Sequence, residues 1–309
     1  MKFIKKGVLM TPKDLKLNYI KSHVMVPSPL KISEHVYRIY FSSRNKQNQS
    51  LIFFFDLDIK KKIKILKISR KPVLKPGLLG AFDDNGVTAC SLVRINKRTI
   101  YMYYIGWKPR STTRYSLMPG LAISNDNGKT FKKFSKAPIL SLTNREPYSI
   151  LTGPYVLKHK NKWHMWYVSC EKWETPDIPI YNIKYASSKD GKKWKQTEKV
   201  CINTRKRERA VARPVVFHEN NKFFMIYSYE PRKGKLKQVP SYRVGMAQSK
   251  DGFKWKRNDN YFKINTSKKG WDSKMVAYGV LLKSKNNTIF LYNGNDYGKN
   301  AIGYAKLEN

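Results

Sequence analysis

The stretch Tyr101-Met-Tyr-Tyr104-Ile-Gly decides the fold, because four other parts of the chain repeat its aromatic strand pattern. The other copies are centred on Phe41, Tyr167, Tyr227 and Tyr292. With Tyr104, these five marker residues follow one another at steps of 63, 63, 60 and 65 residues. A period this regular indicates one repeat architecture rather than several unrelated domains.

A second strand and a tight turn follow most of the markers. The strand carries a Gly-x-Ala pattern, as in Gly120-Leu-Ala122. The turn recurs as Ser124-Asn-Asp126-Asn-Gly128, Ser188-Lys-Asp190-Gly191 and Ser249-Lys-Asp251-Gly252. Asp and Gly accept the positive φ of tight hairpins. No stretch shows a 3.6-residue apolar period with helix caps, so each repeat is read as three or four short strands.

The repeat therefore predicts an all-β fold, a single-domain five-bladed β-propeller with an axial pocket. The predicted blades span roughly residues 20–80, 81–145, 146–205, 206–268 and 269–309. The last of these is one strand short. Residues 1–19, with a strand around Phe3–Met10, are predicted to complete it.

Composition supports a globular chain and narrows its setting. Hydrophobic residues make up 41% and aromatic residues 13% of the sequence, which is enough to form a core. No apolar run approaches the roughly 18 residues of a membrane span, and we read no signal peptide. The three cysteines, Cys90, Cys170 and Cys201, lack metal-ligand spacing. We expect buried thiols, no metal, no cofactor and a cytoplasmic location.

The net charge is +41, from 62 basic and 21 acidic residues. Such an excess favours anionic partners. The alternative is that most of it is lysine on solvated turns such as Lys60–Lys62. A chain that binds polyanions by charge alone is a further hypothesis. We do not expect nucleic acid as the partner, because the basic residues form no single stripe and no RNA- or DNA-binding motif is present.

Five acidic residues fall in segments that lead into the first strand of a blade. In a propeller these inner strands line the axis, so their distant segments converge on one pocket. Glycoside cleavage needs two carboxyl groups, one to protonate the leaving oxygen and one to activate water or attack carbon. Turn capping and ion pairing with neighbouring arginines are the structural alternatives. The five residues are Asp83, Asp84, Glu146, Glu208 and Asp272.

Several segments together resemble a known superfamily. They include Gly80-Ala-Phe-Asp-Asp84, Glu146-Pro-Tyr148, Ala212-Arg-Pro214 and Trp271-Asp-Ser273. The pattern resembles the five-bladed propeller glycosidases, which comprise arabinanases, β-xylosidases, invertases and levansucrases. It is most similar to the glycosidase-like propellers of bacterial surface-polysaccharide gene clusters. The resemblance runs nearly end to end and implies the same fold.

The resemblance also implies an Asp base or nucleophile on the first blade, a second Asp on the next blade and a Glu acid on the third. This chain has His23 where the first Asp is expected, and Lys274 where the closer relatives have an acidic residue. These departures favour altered specificity or a non-catalytic binding module as the alternative function.

The leading prediction is a glycosidase-like enzyme that cleaves or transfers a glycosyl unit of an anionic sugar in surface-polysaccharide metabolism. Asp84 is predicted as the base or nucleophile, and Glu146 or Glu208 as the general acid. Arginine and lysine would hold a phosphate or carboxylate, and aromatic faces would stack on the sugar. The predicted substrate-binding residues are His23, Asp83, Trp107, Arg145, Arg209, Arg213, Asp272, Lys274 and Tyr278.

Overall fold

The computed structural model describes residues 1–232 and 241–308. Their strands form five four-stranded blades, within two eight-stranded sheets and one four-stranded sheet. The prediction of a five-bladed β-propeller is confirmed. Each eight-stranded sheet joins two blades through a short parallel contact, Ser50 with Gly86 in one and Tyr181 with Ala210 in the other.

The first two blades follow the chain in simple antiparallel order. A preceding strand, β1 (Phe3–Met10), belongs to the last blade. Blade 1 consists of β2 (Ile20–Lys31), β3 (Val36–Asn45), β4 (Ser50–Asp58) and β5 (Lys64–Ile68). Blade 2 consists of β6 (Gly86–Arg94), β7 (Ile100–Pro109), β8 (Tyr115–Ser124) and β9 (Lys132–Lys133).

The remaining blades repeat this order. Blade 3 consists of β10 (Leu151–His159), β11 (Lys162–Thr175), β12 (Ile178–Ser188) and β13 (Lys195–Ile202). Blade 4 consists of β14 (Glu208–Glu219), β15 (Lys222–Pro231), β16 (Arg243–Ser249) and β17 (Lys256–Arg257). Blade 5 consists of β18 (Ala277–Lys283), β19 (Thr288–Asn293), β20 (Ile302–Leu307) and β1.

Short helical turns account for the rest of the regular structure. Two are 3₁₀ turns, Pro12–Leu15 and Asp259–Tyr261, and one is a short α-helix, α1 (Asn295–Gly298). None of the helices in the described part of the chain is long and apolar enough to cross a membrane. The inner strands contact one another around the axis, β2 with β6, β6 with β10, β10 with β14, and β18 with β2.

The Asp–Gly turns also join neighbouring blades. In the first of them the Asp126 carboxylate accepts hydrogen bonds from Ser124 Oγ (2.7 Å) and from the backbone N–H groups that follow. In each of the three turns, the backbone carbonyl of the glycine accepts a hydrogen bond from an aromatic side chain on the preceding blade. The aromatic residue is in each case the one directly before that blade's marker residue. The pairs are Tyr40 with Gly128, Tyr103 with Gly191 and Trp166 with Gly252, at 2.7, 2.7 and 2.8 Å.

The strand β1 closes the ring by pairing antiparallel with β20. Its Phe3 ring stacks on Phe262 of the preceding connection, with centroids 4.7 Å apart, and contacts Phe290 of β19. Both partners are buried. The first and last parts of the chain therefore share one hydrophobic core, and closure depends on burial as well as on backbone pairing.

We predict that Phe3→Ala lowers the free energy of unfolding by about 3–5 kcal/mol, because it removes a buried ring from this closure. The control is Ile4→Ala on the same strand, where the side chain is 42% exposed; the expected change is within about 0.5 kcal/mol. Urea denaturation of both variants measures the difference. Equal losses for the two would contradict this account of closure.

Candidate functional site

A cavity of about 490 Å³ lies on the propeller axis. Each of the five inner strands contributes to its wall, and the contributing residues include Met25, Thr88, Thr152, Ala212 and Tyr278. These residues lie in the first part of their strands. The cavity therefore opens at the end of the propeller where the connections enter the inner strands, which we call the cavity end.

Every inner strand contains a β-bulge at the same depth. In blade 3, Thr152 pairs with Val168 and Tyr155 pairs with Trp166, so two residues of β10 face the single marker residue Tyr167 of β11. In every blade the inner strand has one such extra residue opposite the marker residue. A bulge bends the strand and re-aims its side chains. In four blades the bulge places one cavity-lining residue at positive φ, namely Val26, Gly153, Arg213 and Tyr278.

Three of those four residues are not glycine, so their backbone is strained. Val26, Arg213 and Tyr278 have φ values of 56°, 54° and 55°. Such a conformation costs on the order of 1–3 kcal/mol per residue and persists where the surrounding structure imposes it, most often at functional sites. The strain converges on one cavity, which marks this cavity as the candidate site.

Arg213 carries a buried positive charge at the axis. Its side chain is only 4% exposed. The guanidinium donates hydrogen bonds to the carbonyls of Cys90 (2.6 Å) and Pro27 (3.1 Å) and to Ser28 Oγ (2.9 Å), and its Nε has no hydrogen-bond partner. All these acceptors are neutral, and burial lowers the pKa of Arg213. No carboxylate of the described residues forms an ion pair with it.

Three further arginines line the cavity, Arg44, Arg114 and Arg209. Arg44 donates to Asn48 Oδ1 at 3.2 Å and lies over the Trp107 ring. Burial, together with the charge of Arg114, lowers the pKa of Arg44. Arg209 forms an ion pair with a glutamate of β15. The cavity wall thus carries more positive than negative charge.

That glutamate, Glu230, is the one carboxylate among the described residues of the cavity lining. It is 1% exposed, and its Oε1 lies 2.5 Å from Arg209 Nη2. Burial raises its pKa, and the neighbouring Arg209 opposes that shift. Because Glu230 forms this ion pair, it is a carboxylate in the cavity wall, and a carboxylate can accept a proton as a general base.

Aromatic side chains form much of the remaining wall. Tyr242, Tyr278 and Tyr297 contact one another, with the Tyr278 and Tyr297 rings stacked at 6.1 Å. On another side the hydroxyls of Tyr115 and Tyr181 share a hydrogen bond of 2.8 Å. Thr152 also lines the cavity, and its Oγ1 is buried without a hydrogen-bond partner. Buried hydroxyl groups are normally satisfied, so this atom is an exception in the cavity wall.

All five carboxylates predicted for this pocket lie outside its lining. Asp83, Glu146 and Asp272 each accept a hydrogen bond from the hydroxyl of a marker tyrosine, at 2.9, 2.8 and 3.0 Å. Each also has a cationic partner, Lys133, Lys184 and Lys5 respectively. We call each set of tyrosine, carboxylate and lysine a clamp. In blades 2, 3 and 5 the clamp joins the connection that precedes the inner strand to the second strand of the same blade. None of the three carboxylates lines the cavity.

The other two predicted carboxylates are also engaged in ion pairs. Glu208 is bound by Arg257, which also holds Asp259, the acceptor of the Tyr227 hydroxyl. Asp84 accepts from the Gly80 backbone N–H (2.9 Å) and lies 3.4 Å from Lys108 Nζ. The expected meeting of Asp84, Glu146 and Glu208 around one pocket is therefore corrected. Each is held by a cation outside the lining, because it precedes the part of the inner strand that reaches the axis.

The predicted substrate-binding residues divide between the cavity and the rim. Trp107, Arg209, Arg213 and Tyr278 line the cavity, and their contact with a substrate stays a prediction. Three others do not line it, which corrects their expected placement. Arg145 is exposed and pairs with Glu198, Lys274 is exposed, and His23 is buried with Ser22 Oγ 2.7 Å from its Nδ1.

No metal site is apparent in residues 1–232 and 241–308, since no group of three or more His, Cys, Asp or Glu side chains there is arranged to hold an ion. Cys90, Cys170 and Cys201 are buried free thiols. Burial raises the pKa of all three. Low-pKa thiolates are the reactive form of cysteine, so these side chains belong to the core.

Known proteins share this architecture. The sequence profile of the glycosyl hydrolases family 32 N-terminal domain matches residues 68–212. A solved glycoside hydrolase superposes with a TM-score of 0.76 at 18% identity, covering 99% of this chain and 92% of that one. A thermostable family-43 glycoside hydrolase gives 0.68 at 16% identity, covering 94% and 91%. The Bombyx mori family 32 β-fructofuranosidase, as a mutant in complex with sucrose, gives 0.65 at 15%, covering 96% and 67%.

Two uncharacterized proteins from strains of Mycobacterium tuberculosis are 34% identical over 312 residues, with complete coverage of both chains. The chain belongs to their family, and its fold is that of the five-bladed propeller glycoside hydrolases. The resemblance seen in the sequence is thereby confirmed at the level of the superfamily. Full coverage on both sides means that the mycobacterial relatives share the entire propeller.

The cavity differs from the site that the resemblance in the sequence implies. The superfamily pattern expects carboxylates from the first three blades at the axis. Here the first three inner strands line the cavity with residues such as Met25, Thr88 and Thr152, and the one described carboxylate comes from blade 4. The described lining therefore carries four arginines and one glutamate.

Sequence reasoning missed several lining residues. Glu230, Arg44 and Tyr181 lie on second and third strands, and Tyr297 lies on α1. One signal was available for Glu230, the motif Tyr227-Ser-Tyr-Glu230, in which an acidic residue follows the fourth marker in a chain poor in acids. Nothing comparable distinguishes Tyr297 from an ordinary core tyrosine.

We predict a measurable effect of His23 on acid stability. Burial, with the charges of Arg44 and Lys299, lowers its pKa from 6.5 to about 3. Below pH 6.5, His23 therefore binds a proton in the unfolded chain but not in the folded chain. The free energy of unfolding consequently falls as the pH decreases from 6.5 towards 3. His23→Asn removes this linkage and tolerates the φ of 68° at this position, because Asn adopts left-handed conformations readily.

Urea denaturation at about pH 7 and about pH 5 checks this, with the wild type losing about 2 kcal/mol more than the variant between the two conditions. His35→Asn, in the β2–β3 turn, controls for the loss of an imidazole elsewhere. An identical pH dependence for the wild type and His23→Asn would show that His23 is not buried as a neutral group.

Proposed function

We propose that the axial cavity binds a sugar that carries a phosphate or carboxylate group, such as a sugar nucleotide of bacterial surface-polysaccharide metabolism. The observation that carries the proposal is the buried guanidinium of Arg213, which no described carboxylate neutralises. A buried charge without a counter-ion is costly, and an anionic ligand would compensate it. Arginine also binds phosphate and carboxylate bidentately.

The rest of the lining supports a sugar as the body of the ligand. The aromatic rings of Trp107, Tyr278 and Tyr297 line the cavity together with polar side chains such as Thr88 and Asn48. Ring faces pack on the apolar face of a sugar, while polar groups bind its hydroxyls. A cavity of about 490 Å³ lies within the range of small-molecule sites. The glycoside hydrolase fold is consistent with a carbohydrate ligand.

Cleavage or transfer of a glycosyl unit is the second candidate function, and Glu230 favours it. Its carboxylate lies in the cavity lining, paired with Arg209, where it can accept a proton from an attacking water. Hydrolysis by the usual mechanism needs a second carboxyl group within roughly 5–10 Å, and the described residues of the lining supply only Glu230. For this reason we place ligand binding first and chemistry second.

We predict that Arg44→Gln weakens binding of anionic sugars while the fold is preserved. Arg44 is only partly buried, so its loss leaves no large void. Removing one charged hydrogen-bond donor is expected to raise the Kd for UDP-glucose or glucose 1-phosphate about tenfold or more. Isothermal titration calorimetry measures the change, with glucose as the neutral ligand.

Arg207→Gln is the matched control, since Arg207 is exposed and does not line the cavity. Its Kd values should equal those of the wild type. If Arg207→Gln weakens binding as much as Arg44→Gln, or if glucose binds as tightly as glucose 1-phosphate, the proposal is wrong. The first result would instead favour general attraction of polyanions, with a steep dependence on salt.

A turnover assay separates the two carboxylate assignments. If sugar nucleotides are cleaved, Glu230→Gln is expected to reduce kcat about 100-fold or more, as for loss of a general base that activates the attacking water. Asp84→Asn should leave kcat unchanged, because Asp84 is held by Lys108 and Gly80 outside the cavity. The reverse outcome would restore Asp84 as the base and remove Glu230 from the chemistry.

A further inference from the structure

Two adjacent leucines at the cavity end are left in solvent. Leu78 is 73% exposed and Leu79 is 99% exposed. No other described large apolar residue is as exposed as either of them. They lie in the connection Pro76-Gly77-Leu78-Leu79-Gly80, which leads into the inner strand β6. Exposed apolar side chains of this kind usually mark an interaction site when they occur together.

The turn that carries the leucines is well defined. The Gly77 N–H donates to the Asp83 carbonyl (3.0 Å), and the Ala81 N–H donates to the Leu78 carbonyl (3.0 Å). The Asp84 carboxylate accepts from the Gly80 N–H, and Lys108 lies beside it. The backbone carbonyl of Asp83 and the carboxylate of Asp84 thus hold this turn, and both leucine side chains project from a fixed base.

The turn borders the opening of the cavity. Lys108 Nζ lies 3.5 Å from the carbonyls of Gly80 and Ala81. Its two sequence neighbours, Trp107 and Pro109, line the cavity. The leucine pair and the mouth of the candidate site therefore face the same side of the propeller.

Unpaired cations surround this end of the molecule. On the connections into three inner strands, six exposed basic residues form no ion pair with a described carboxylate: Lys71, Lys75, Lys206, Arg207, Lys268 and Lys269. The carboxylates of the same connections are occupied in the clamps and ion pairs described above. Exposed acids at this end are Glu171, Glu174 and Asp177 of the β11–β12 hairpin, Asp14 on the connection into β2, and Asp296 on α1. None of them lies on the connection that carries the leucines.

We infer that the cavity end docks on an anionic membrane surface, with Leu78 and Leu79 inserted at the headgroup boundary and the surrounding cations on lipid headgroups. Apolar side chains beside basic residues are the combination that holds proteins at such interfaces. A protein partner fits less well, because two leucines expose far less than the roughly 800 Å² that each partner buries in a stable interface. The inference does not depend on which ligand occupies the cavity.

Vesicle co-sedimentation of the full chain tests the docking surface. Vesicles of phosphatidylcholine mixed with phosphatidylglycerol should bind the wild type, and vesicles of phosphatidylcholine alone should bind it much less. The double variant Leu78→Ser/Leu79→Ser is expected to weaken binding about tenfold or more. Leu66→Ser is the control, since Leu66 is 52% exposed on β5, away from the cavity end.

A matched pair of charge variants distinguishes membrane binding through one face from binding that depends only on the overall net positive charge. Lys71→Glu/Lys75→Glu should weaken binding strongly, whereas Lys61→Glu/Lys62→Glu, in the β4–β5 turn at the opposite end, should weaken it much less. Equal effects of the two charge variants would overturn the proposal. So would unchanged binding after loss of both leucines, or a dimer in solution that the leucine variant dissolves.

A probe at the tip gives a direct readout of insertion. Leu79→Cys labelled with an environment-sensitive fluorophore should shift to shorter wavelength on anionic vesicles, and labelled Leu66→Cys should not. The native cysteines are buried and interfere little with labelling. Absence of a shift at Leu79 in the presence of sedimenting vesicles would rule out insertion of the pair.

Discussion

The single extra residue opposite each marker is the constraint on which the site depends. An inner strand without it would alternate its side chains regularly between the two faces of its blade. The bulge changes that alternation at one depth in all five blades and turns Val26, Gly153, Arg213 and Tyr278 towards the axis. In blade 2 the extra residue is Cys90, which is buried and offers its carbonyl to Arg213. Backbone strain in three blades is thus offset by a ring of contacts that only the closed propeller provides.

The clamps explain how so basic a chain arranges its few acids. Where the marker is tyrosine, its hydroxyl meets a carboxylate with a cationic partner, in blades 2, 3, 4 and 5. In blade 1 the marker is Phe41, which has no hydroxyl to donate. Breaking such a buried pair by removing one partner is strongly destabilising, so these carboxylates are committed to the frame. That commitment leaves the axial cavity with an excess of arginine.

The marker period could predict the blades, the inner strands and the lining positions of Trp107, Arg209, Arg213 and Tyr278, because these depend on strand order and spacing. It could not assign the carboxylates correctly. Asp83 and Asp272 stand a few residues before their strands, and at that distance a side chain meets the marker tyrosine of its own blade instead of the axis. Glu230 and Arg44 reach the cavity from second strands, and this depends on where β15 and β3 end relative to the bulges. The spacing of the repeats along the sequence does not indicate where a second strand ends relative to a bulge, so it cannot predict these positions.

An anionic ligand also changes what chemistry this cavity would need. A sugar oxygen that leaves as an alkoxide must be protonated, which is one reason why glycosidases carry an acid beside a second carboxylate. A phosphate leaving group departs already ionised, and arginines stabilise the charge that develops on it. For a substrate with a phosphate leaving group, one carboxyl group surrounded by several guanidinium groups would be sufficient. The second carboxyl group of an ordinary glycoside hydrolase would not be required. The excess of arginine over carboxylate in the described lining therefore fits the proposed anionic ligand better than it fits the neutral glycoside of an ordinary hydrolase site.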